Sequence, residues 1–488
     1  MSVINETLEL MKSAYSEQNA LRKAGNTVTT ASGLVAFDLQ APAKNLYPVI
    51  RLLGSSIYRR PGKGGTATNW RQVNKIIGSG FDNIGWVPEG QRAGVMSLNA
   101  STKAASYATI GEEGALTFEA YMAAEGFEDE RARTSIRTLQ KAMLKEEIAI
   151  LCGNASQTLG TPAAPTLSAA GTGGTLPAAT YSVIMVALTL EGYLNSSVAS
   201  GVATSQTVTG QDLMTFTLNG GSSNKSGNTT LAVTLGQNLT ATGTPLAASV
   251  AYAWYAGAAG SEVLQAITTV PTVTFSAPLA TGTQAATAIT GDHSANPNTG
   301  FDGLLTNALN PANGAYVLDL QGAALTASSR GTVNQIDAML EYMWNNFRLS
   351  PTIIYVNAQE QLSITNAALN QTAGNLLRQN TQIGANGKVT AGVVVGHYYN
   401  PFALGGGVMI PIELHPNLPP GTLICWADNL PMQYQSNEVP NVAEMHVQQD
   451  WQDINWPLVT RSYQNGVYAR EVLAVYAPFA MGVIKGIG

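Results

Sequence analysis

"DERARTSIRTLQKAMLKEEIAILCGNASQTLGTPAAPTLSAAGTGGTLPAATYSV" occupies residues 129–183, and two kinds of chain meet inside it. The first part, Asp129 to Leu151, is charged and has helical spacing. Glu128, Asp129 and Glu130 stand at its start, where the positive end of a helix dipole favours acidic groups. Gly153 supplies a stop. Ile136, Leu139, Met143 and Ile150 recur as an apolar stripe. Arg133, Arg137, Lys141 and Lys145 recur every fourth residue and so line one face. That basic face reads equally as solvated surface or as a surface for acidic groups of a neighbouring subunit. Glu146 and Glu147 follow at once, which speaks against nucleic acid as its target.

Beyond Gly153 the charges stop. Only Glu191, Asp212, Lys225 and Glu262 are charged between Thr158 and Gly291, while the rest of the chain carries 52 of its 56 charged residues. "TYSVIMVAL" (Thr180–Leu188), "VAYAWYA" (Val250–Ala256) and "TVTF" (Thr272–Phe275) are rich in β-branched and aromatic residues. Gly, Asn, Ser and Pro punctuate them at short intervals, the pattern of an all-β sandwich. The segment has enough apolar residues for a core of its own, so it reads as a domain inserted into another. Insertion costs little because loop-closure entropy grows slowly with length. On this reading a short Gly/Ser linker could replace it.

Working outward, Val3 to Lys23 reads as an amphipathic helix with Leu8, Met11 and Tyr15 on one face. An extended piece carrying Pro42 and Pro48 follows it. Arg59 to Gly114 reads as a long two-stranded arm. Trp70, Gln72, Asn74 and Ile76 alternate there with Arg71, Val73 and Lys75, and the returning piece is placed around Tyr107 and Thr109. The middle is rich in Gly, Asn and Ser. An isolated hairpin is marginal in water, so the arm needs something to lie on. Glu89 and Arg92 near its middle are placed to pair with charges across a subunit boundary. Beyond Gly291 a helix is expected over Val333–Phe347, stopped by Ser350-Pro351, and another over Ala358–Leu369. "TIIYV", "VTAGVVVG", "GVMIPIEL", "GTLICWA" and "YAREVLAVYAP" read as strands. The flanks are α+β.

Composition bounds the function. Charged residues make up 11% of 488, less than half of the usual ~25%. Such a surface suits coverage by copies of itself. A net charge of −6 with a sequence pI near 5.3 lacks the basic stripe of a nucleic-acid binder. Cys152 and Cys425 sit in apolar surroundings and read as buried free thiols of a reducing compartment. No signal-peptide pattern opens the chain, and no apolar run reaches the ~18 residues of a membrane span. There is no GxSxG, and "PGKGGT" (Pro61–Thr66) lacks the ending of a phosphate-binding loop. His293, His397, His415 and His446 are scattered without metal-ligand spacing, and His415 in "ELHPNLPP" reads as a turn or strand-edge residue. Glu112-Glu113 and Glu146-Glu147 are sequence neighbours, which do not face one another as an acid/base pair must. The expectation is no enzyme activity, no catalytic residue, no cofactor and no metal.

The order of elements resembles the major capsid proteins of tailed bacteriophages, with the Hong Kong 97-type capsid fold. The stretches that carry the resemblance begin with "PGKGGTATNWRQVNKI", which leads to "WVPEGQ". Next comes "ASYATIGEEGALTFEAYMAAEGFEDERARTSIRTLQKAMLKEEIAILCGN". Last are "NTGFDGLL" (Asn298–Leu305) and "VNQIDAMLEYMWNNFRLSPTIIYVNAQE". Each is soft; together they cover both flanks, about 350 residues. "GTLPAATYSVIMVALTLEGYLNSS", with Tyr181, Val183, Met185, Ala187 and Gly192, resembles immunoglobulin- or fibronectin-III-like modules.

The resemblance implies a division of the chain. Residues 1–58 would be an N-terminal arm and 59–110 an extended loop lying on a neighbour. Residues 111–157 would hold the spine helix of a peripheral domain, and 158–291 the inserted immunoglobulin-like sandwich. Residues 292–349 would continue the peripheral domain, 350–439 would form an axial domain and 440–488 would return to the peripheral domain. It also implies a homo-oligomeric shell of hexamers and pentamers in the virion, assembled in the bacterial cytoplasm. The shell would enclose double-stranded DNA without sequence specificity. Portal and possibly scaffolding or decoration proteins would be its partners, with no membrane. Lys75, Glu89, Arg92, Lys103, Arg133, Arg137, Lys141 and Lys145 become the candidate intersubunit contacts. Some relatives join a lysine to an asparagine of a neighbour. Lys75 and Lys103 flank the loop, but no partner for such a bond is identifiable here. A cell-surface adhesin built on the sandwich is the competing reading.

Overall fold

A computed structural model describes residues 51–488 except 63, 76–85, 93–98, 125–128, 172, 211–212, 298, 330, 370–393, 404 and 431–439. The expected helix at Val3–Lys23, the proline-bearing piece up to residue 50 and most of "VTAGVVVG" lie outside the described residues. The chain falls into two compact units. In the smaller, Met1–Leu46 with Glu119–Glu130, the described structure is chiefly Glu119 to Ala124 of the helix Phe118–Ala124. Everything below concerns the larger.

Two sheets organise the α+β body. The first has four strands in the order Tyr58–Pro61, Ala443–Asn455, Ser462–Val475, Ala108–Thr117. Tyr58–Pro61 joins in parallel, and the other pairings are antiparallel. The second has six strands in the order Tyr316–Asp319, Met481–Lys485, Leu423–Trp426, Ile353–Val356, Val408–Leu414, His397–Asn400. Its middle strands are apolar throughout because both faces are covered. Side chains alternate between faces. Ile354, Val356, Leu423, Cys425 and Ile484 therefore meet Ile336, Met339, Leu340 and Met343 of the helix Asn334–Phe347. Tyr355, Ile424, Trp426, Met481 and Val483 pack on the opposite side into the core that also holds Ile150 and Leu151.

The sheet crosses an expected boundary: Met481–Lys485, from the segment assigned to the peripheral domain, pairs with Leu423–Trp426 of the axial segment. The helix Asn334–Phe347 ends at Phe347 as expected, but Arg348 rather than Ser350-Pro351 closes it. Arg348 takes a left-handed conformation at φ 55° and closes the helix with hydrogen bonds from its backbone N–H to the last turn.

The uncharged segment is built on a two-sheet β-sandwich, beside which Ser205–Thr209 pairs with Thr215–Asn219 as a separate two-stranded ribbon. Ala179–Leu188 is the central strand of a five-stranded sheet, flanked by Thr229–Val233 and Ala251–Gly257. The facing sheet is Thr272–Phe275, Asn238–Thr242, Thr166–Ala170. Val183, Met185, Leu239, Ala241 and Trp254 fill the space between them. The outer face of the five-stranded sheet is buried as well, under Val202, Ala286 and Ile289. This double burial explains why "SVIMVAL" has no polar/apolar alternation. The two connecting segments lie side by side. Gly303 N–H donates to Gly153 O at 2.8 Å and Asn296 N–H to Asn154 O at 2.8 Å. The Asp302 carboxylate accepts from Ala155 N–H at 2.8 Å, and the Asp292 carboxylate from Gly160 N–H at 2.7 Å.

The sandwich is not merely tethered. Leu190 and Val250 belong to the same buried cluster as Ile150, Leu151, Leu305 and Leu309 of the body, and they line a small cavity with Cys152 and Leu305. The Lys485 ammonium donates to Leu246 O at 2.8 Å, Ala247 O at 3.0 Å and Ser249 O at 2.8 Å. Burial pushes the Lys485 pKa down, against the pull of Asp319. These contacts change the expectation that a linker could replace the segment.

Candidate functional site

The arm is real, but its return strand differs from the expected one. Ala67–Lys75 pairs with Asn99–Ser106, with Ala67 opposite Ser106, Trp70 opposite Lys103 and Lys75 opposite Asn99. Tyr107 and Thr109 lie beyond the arm, and Ala108–Thr117 is an edge strand of the four-stranded sheet. The polar alternation around "STKAAS" is weak, so the sequence alone did not single it out over the apolar "YATI".

Among the described residues, the arm's base is fastened to the body. Trp70 Nε1 donates to Val475 O at 2.9 Å, and Val73 N–H to Tyr476 O at 2.9 Å. Gln72, 1% exposed, donates to Asn313 Oδ1 at 2.8 Å. Thr68 Oγ1 lies 3.0 Å from His446 Nδ1, whose Nε2 is 2.8 Å from the Tyr476 hydroxyl. Burial lowers the His446 pKa and pushes Tyr476 up to about 12. At the far end Trp86 is 92% exposed, and Glu89 and Arg92 are exposed with it.

The spine helix runs from Glu130 to Cys152. Its buried stripe is Thr138, Ala142, Glu146, Ile150, again every fourth residue, while Ile136 is 55% exposed. Lys141 and Lys145 both pair with Glu112 on the neighbouring strand of the same chain. Burial tends to raise the Glu112 pKa, but the two lysine hydrogen bonds outweigh it and the net shift is downward. Thus Lys141 and Lys145, expected to meet a neighbour, are engaged within the chain. Arg133 and Arg137 are half-buried on the first half of the helix.

Glu146 and Glu147 are the residues that sequence reasoning passed over. Both are buried, at 0% and 1% exposure. Glu147 accepts from Leu53 N–H at 2.8 Å and Gly54 N–H at 2.7 Å. His415 Nε2 lies 3.1 Å from the same carboxylate. His415 Nδ1 accepts from Asn417 N–H at 3.2 Å, which places the imidazole proton on Nε2, facing Glu147. Burial tends to raise the Glu147 pKa, yet these donors hold it below the ordinary carboxylate value. Glu146 accepts from Arg51 Nη2 at 2.5 Å and from Arg59. The fourfold spacing from Thr138 to Ile150 passes through Glu146, while Glu147 lies outside it.

Among the described residues, no group of three His, Cys, Asp or Glu could hold a metal, and no helix is long and apolar enough to cross a membrane. Cys152 and Cys425 are buried free thiols. Burial raises both pKa values, that of Cys425 to about 12, so neither supplies thiolate near neutrality. Under native conditions at pH 8 a maleimide should label neither thiol within minutes, and urea should release both. Prompt native labelling would contradict the packing described here.

No family model and no curated protein matches the chain. Solved structures do. The capsid of an empty GTA particle covers 94% of this chain and 98% of its own, at 8% identity and a TM-score of 0.45. The capsid of Myoviridae Phage XM1 covers 95% and 100%, at 10% identity and 0.39. The holo-SrpI encapsulin complex from Synechococcus elongatus covers 94% and 95%, at 8% identity and 0.38. Over nearly its whole length the chain is therefore similar to chains solved in capsids and in an encapsulin complex, at TM-scores below 0.5 that carry nothing about its function.

Proposed function

We propose that this chain is the shell-forming subunit of a tailed-phage capsid of the Hong Kong 97 type, a structural protein that self-assembles into hexamers and pentamers around double-stranded DNA. The observation that carries the reading is the arm. Its base is locked to the body by Trp70, Gln72 and Val73, while its far turn, with Trp86, Glu89 and Arg92, is exposed. A two-stranded ribbon gains stability only against another surface, and a second copy of the chain supplies one. The low charge of the chain supports the same reading. Residues 158–291 would form an immunoglobulin-like decoration on the outer surface. The arm would lie across a neighbour through Glu89, Arg92, Lys75 and Lys103, with Arg133 and Arg137 facing acidic groups at the same boundary.

Particle size tests this. Native purification should yield shells, and a stable monomer of 51.1 kDa by light scattering would rule the reading out. Lys75 already sits opposite Asn99, so an Asn-Gly turn can replace residues 76–98 without disturbing the register. The shortened chain should fold with an unfolding midpoint close to the parent and yet form no shells. Normal shells from it would show that the arm plays no part in assembly.

A further inference from the structure

The ribbon of residues 205–219 belongs to neither sheet of the sandwich. Ser205–Thr209 and Thr215–Asn219 pair with each other and, among the described residues, with no other strand. Directly opposite residues of such a pair share a face. Gln206 opposite Leu218 and Val208 opposite Phe216 make one face; Thr207 opposite Thr217 and Thr209 opposite Thr215 make the other. The threonine face is exposed, and its hydroxyls can meet water. The apolar face is incompletely covered: Val208 and Leu218 are half-buried, while Phe216 is 48% exposed. At the turn Leu213 is 82% exposed, at a φ of 63° that glycine or asparagine would adopt more readily.

The root of the ribbon is tied down. Asn219 N–H donates to Asn296 Oδ1 at 2.8 Å and Asn219 Nδ2 to Ala295 O at 2.7 Å, while Asn296 Nδ2 donates to Asn219 O at 3.0 Å. His293 Nδ1 lies 3.1 Å from Asn219 Oδ1, and Gly221 N–H donates to His293 O at 2.9 Å. Residues 293–296 lie in the segment that joins the sandwich to the body, where Asn296 N–H bonds Asn154 O. The direction of the ribbon is therefore set by that junction.

We propose that the apolar face and turn of this ribbon, Val208, Leu213, Phe216 and Leu218, are a contact between subunits, covered in the shell by a second copy of the chain. The proposal rests on the shell reading above and adds a contact made by the inserted segment. Three features select a copy of the chain as the occupant. The two strands contain no charged residue and no proline, the devices that keep exposed strands from pairing with their own kind. The face offers nothing to a charged partner, and every copy brings nearly uncharged surface between Thr158 and Gly291. Finally, the patch is small. Four side chains, two of them half-buried, fall well short of the ~800 Å² per partner that a stable pairwise complex buries. A separate protein would not stay on it, whereas a copy already held alongside by the rest of the shell meets it at high effective concentration.

Cys152 and Cys425 are buried, so a cysteine placed on the ribbon is the reactive thiol of the full chain. Maleimide labelling of Phe216→Cys on the apolar face and Thr217→Cys on the threonine face is timed in particles and in subunits dissociated from them. Coverage should slow Phe216→Cys at least about tenfold in particles and leave Thr217→Cys within about twofold. A photoreactive benzoylphenylalanine in place of Phe216 then identifies what covers it. Cross-linked dimers of the chain, formed in particles and absent from dissociated subunits, are the expected product. Equal labelling of Phe216→Cys in the two states overturns the proposal. So does protection with cross-links confined to one chain or made to a different protein. Light scattering of the same samples keeps the two readings apart: particles with position 216 uncovered sink the contact alone, and a chain that forms no particles sinks both. If Phe216→Cys folds but does not assemble, the photoreactive variant, which keeps an aromatic ring there, decides.

Discussion

Replacing Glu147 with alanine is expected to cost about 3–5 kcal/mol, the range for breaking a buried charged interaction by removing one partner. The carboxylate is the acceptor for Leu53 N–H, Gly54 N–H and the His415 imidazole. The cavity left behind supplies none, and each orphaned buried donor costs about 1–3 kcal/mol. Those costs are not additive, because the segment after residue 50 can detach and meet water. Glu147→Gln should fall between the two, since its amide oxygen can still accept while its NH₂ group confronts a donor. Urea unfolding followed by tryptophan fluorescence, at neutral pH where the carboxylate is charged, gives the values. A loss of less than about 1 kcal/mol for the alanine variant, within the range of a surface substitution, would mean that the three donors find water in its place.

The second large effect comes from excising Thr158–Gly291. Leu190 and Val250 leave with the segment, uncovering Leu305, Leu309 and the end of the spine helix. Each newly exposed side chain of this size forfeits about 1.5–3 kcal/mol, and Lys485 loses its three carbonyl acceptors while keeping Asp319 at 3.5 Å. The total is comparable with the whole stability of a typical domain, about 5–15 kcal/mol. The truncated body should therefore aggregate. The excised sandwich, which keeps both of its own buried clusters, should stay soluble and unfold cooperatively. Size-exclusion chromatography and circular dichroism of the two pieces decide. A soluble truncated body with an unchanged midpoint would show that the junction adds little.

The sequence by itself located the elements whose cause is local. The helix Asn334–Phe347 buries Ile336, Met339, Leu340, Met343 and Phe347 because a period of 3.6 writes that stripe into any short window. The sandwich announced itself by the loss of charge after Thr158 and by its β-branched runs, and the α+β flanks by their alternating patterns. A first ribbon strand near Trp70 was legible too, from the alternation along "NWRQVNK". Its return strand was not, since register depends on which apolar piece the body claims, and the four-stranded sheet claimed Ala108–Thr117.

Tertiary structure alone decided what the carboxylates do. Glu147 finds His415 across 268 residues of chain, and Glu471 finds Arg59 across 412. Nothing in a local window distinguishes a glutamate that will be buried among donors from one that stays in water, because its cost and its compensation arrive from different elements. The same holds for Lys485, which reads as an ordinary charge near the end of the chain and becomes the clamp on a loop 239 residues earlier. Periodicity records which face of an element turns inward. Which polar groups wait there is settled only when the elements pack, since a buried charge is tolerated only where distant donors or acceptors converge on it.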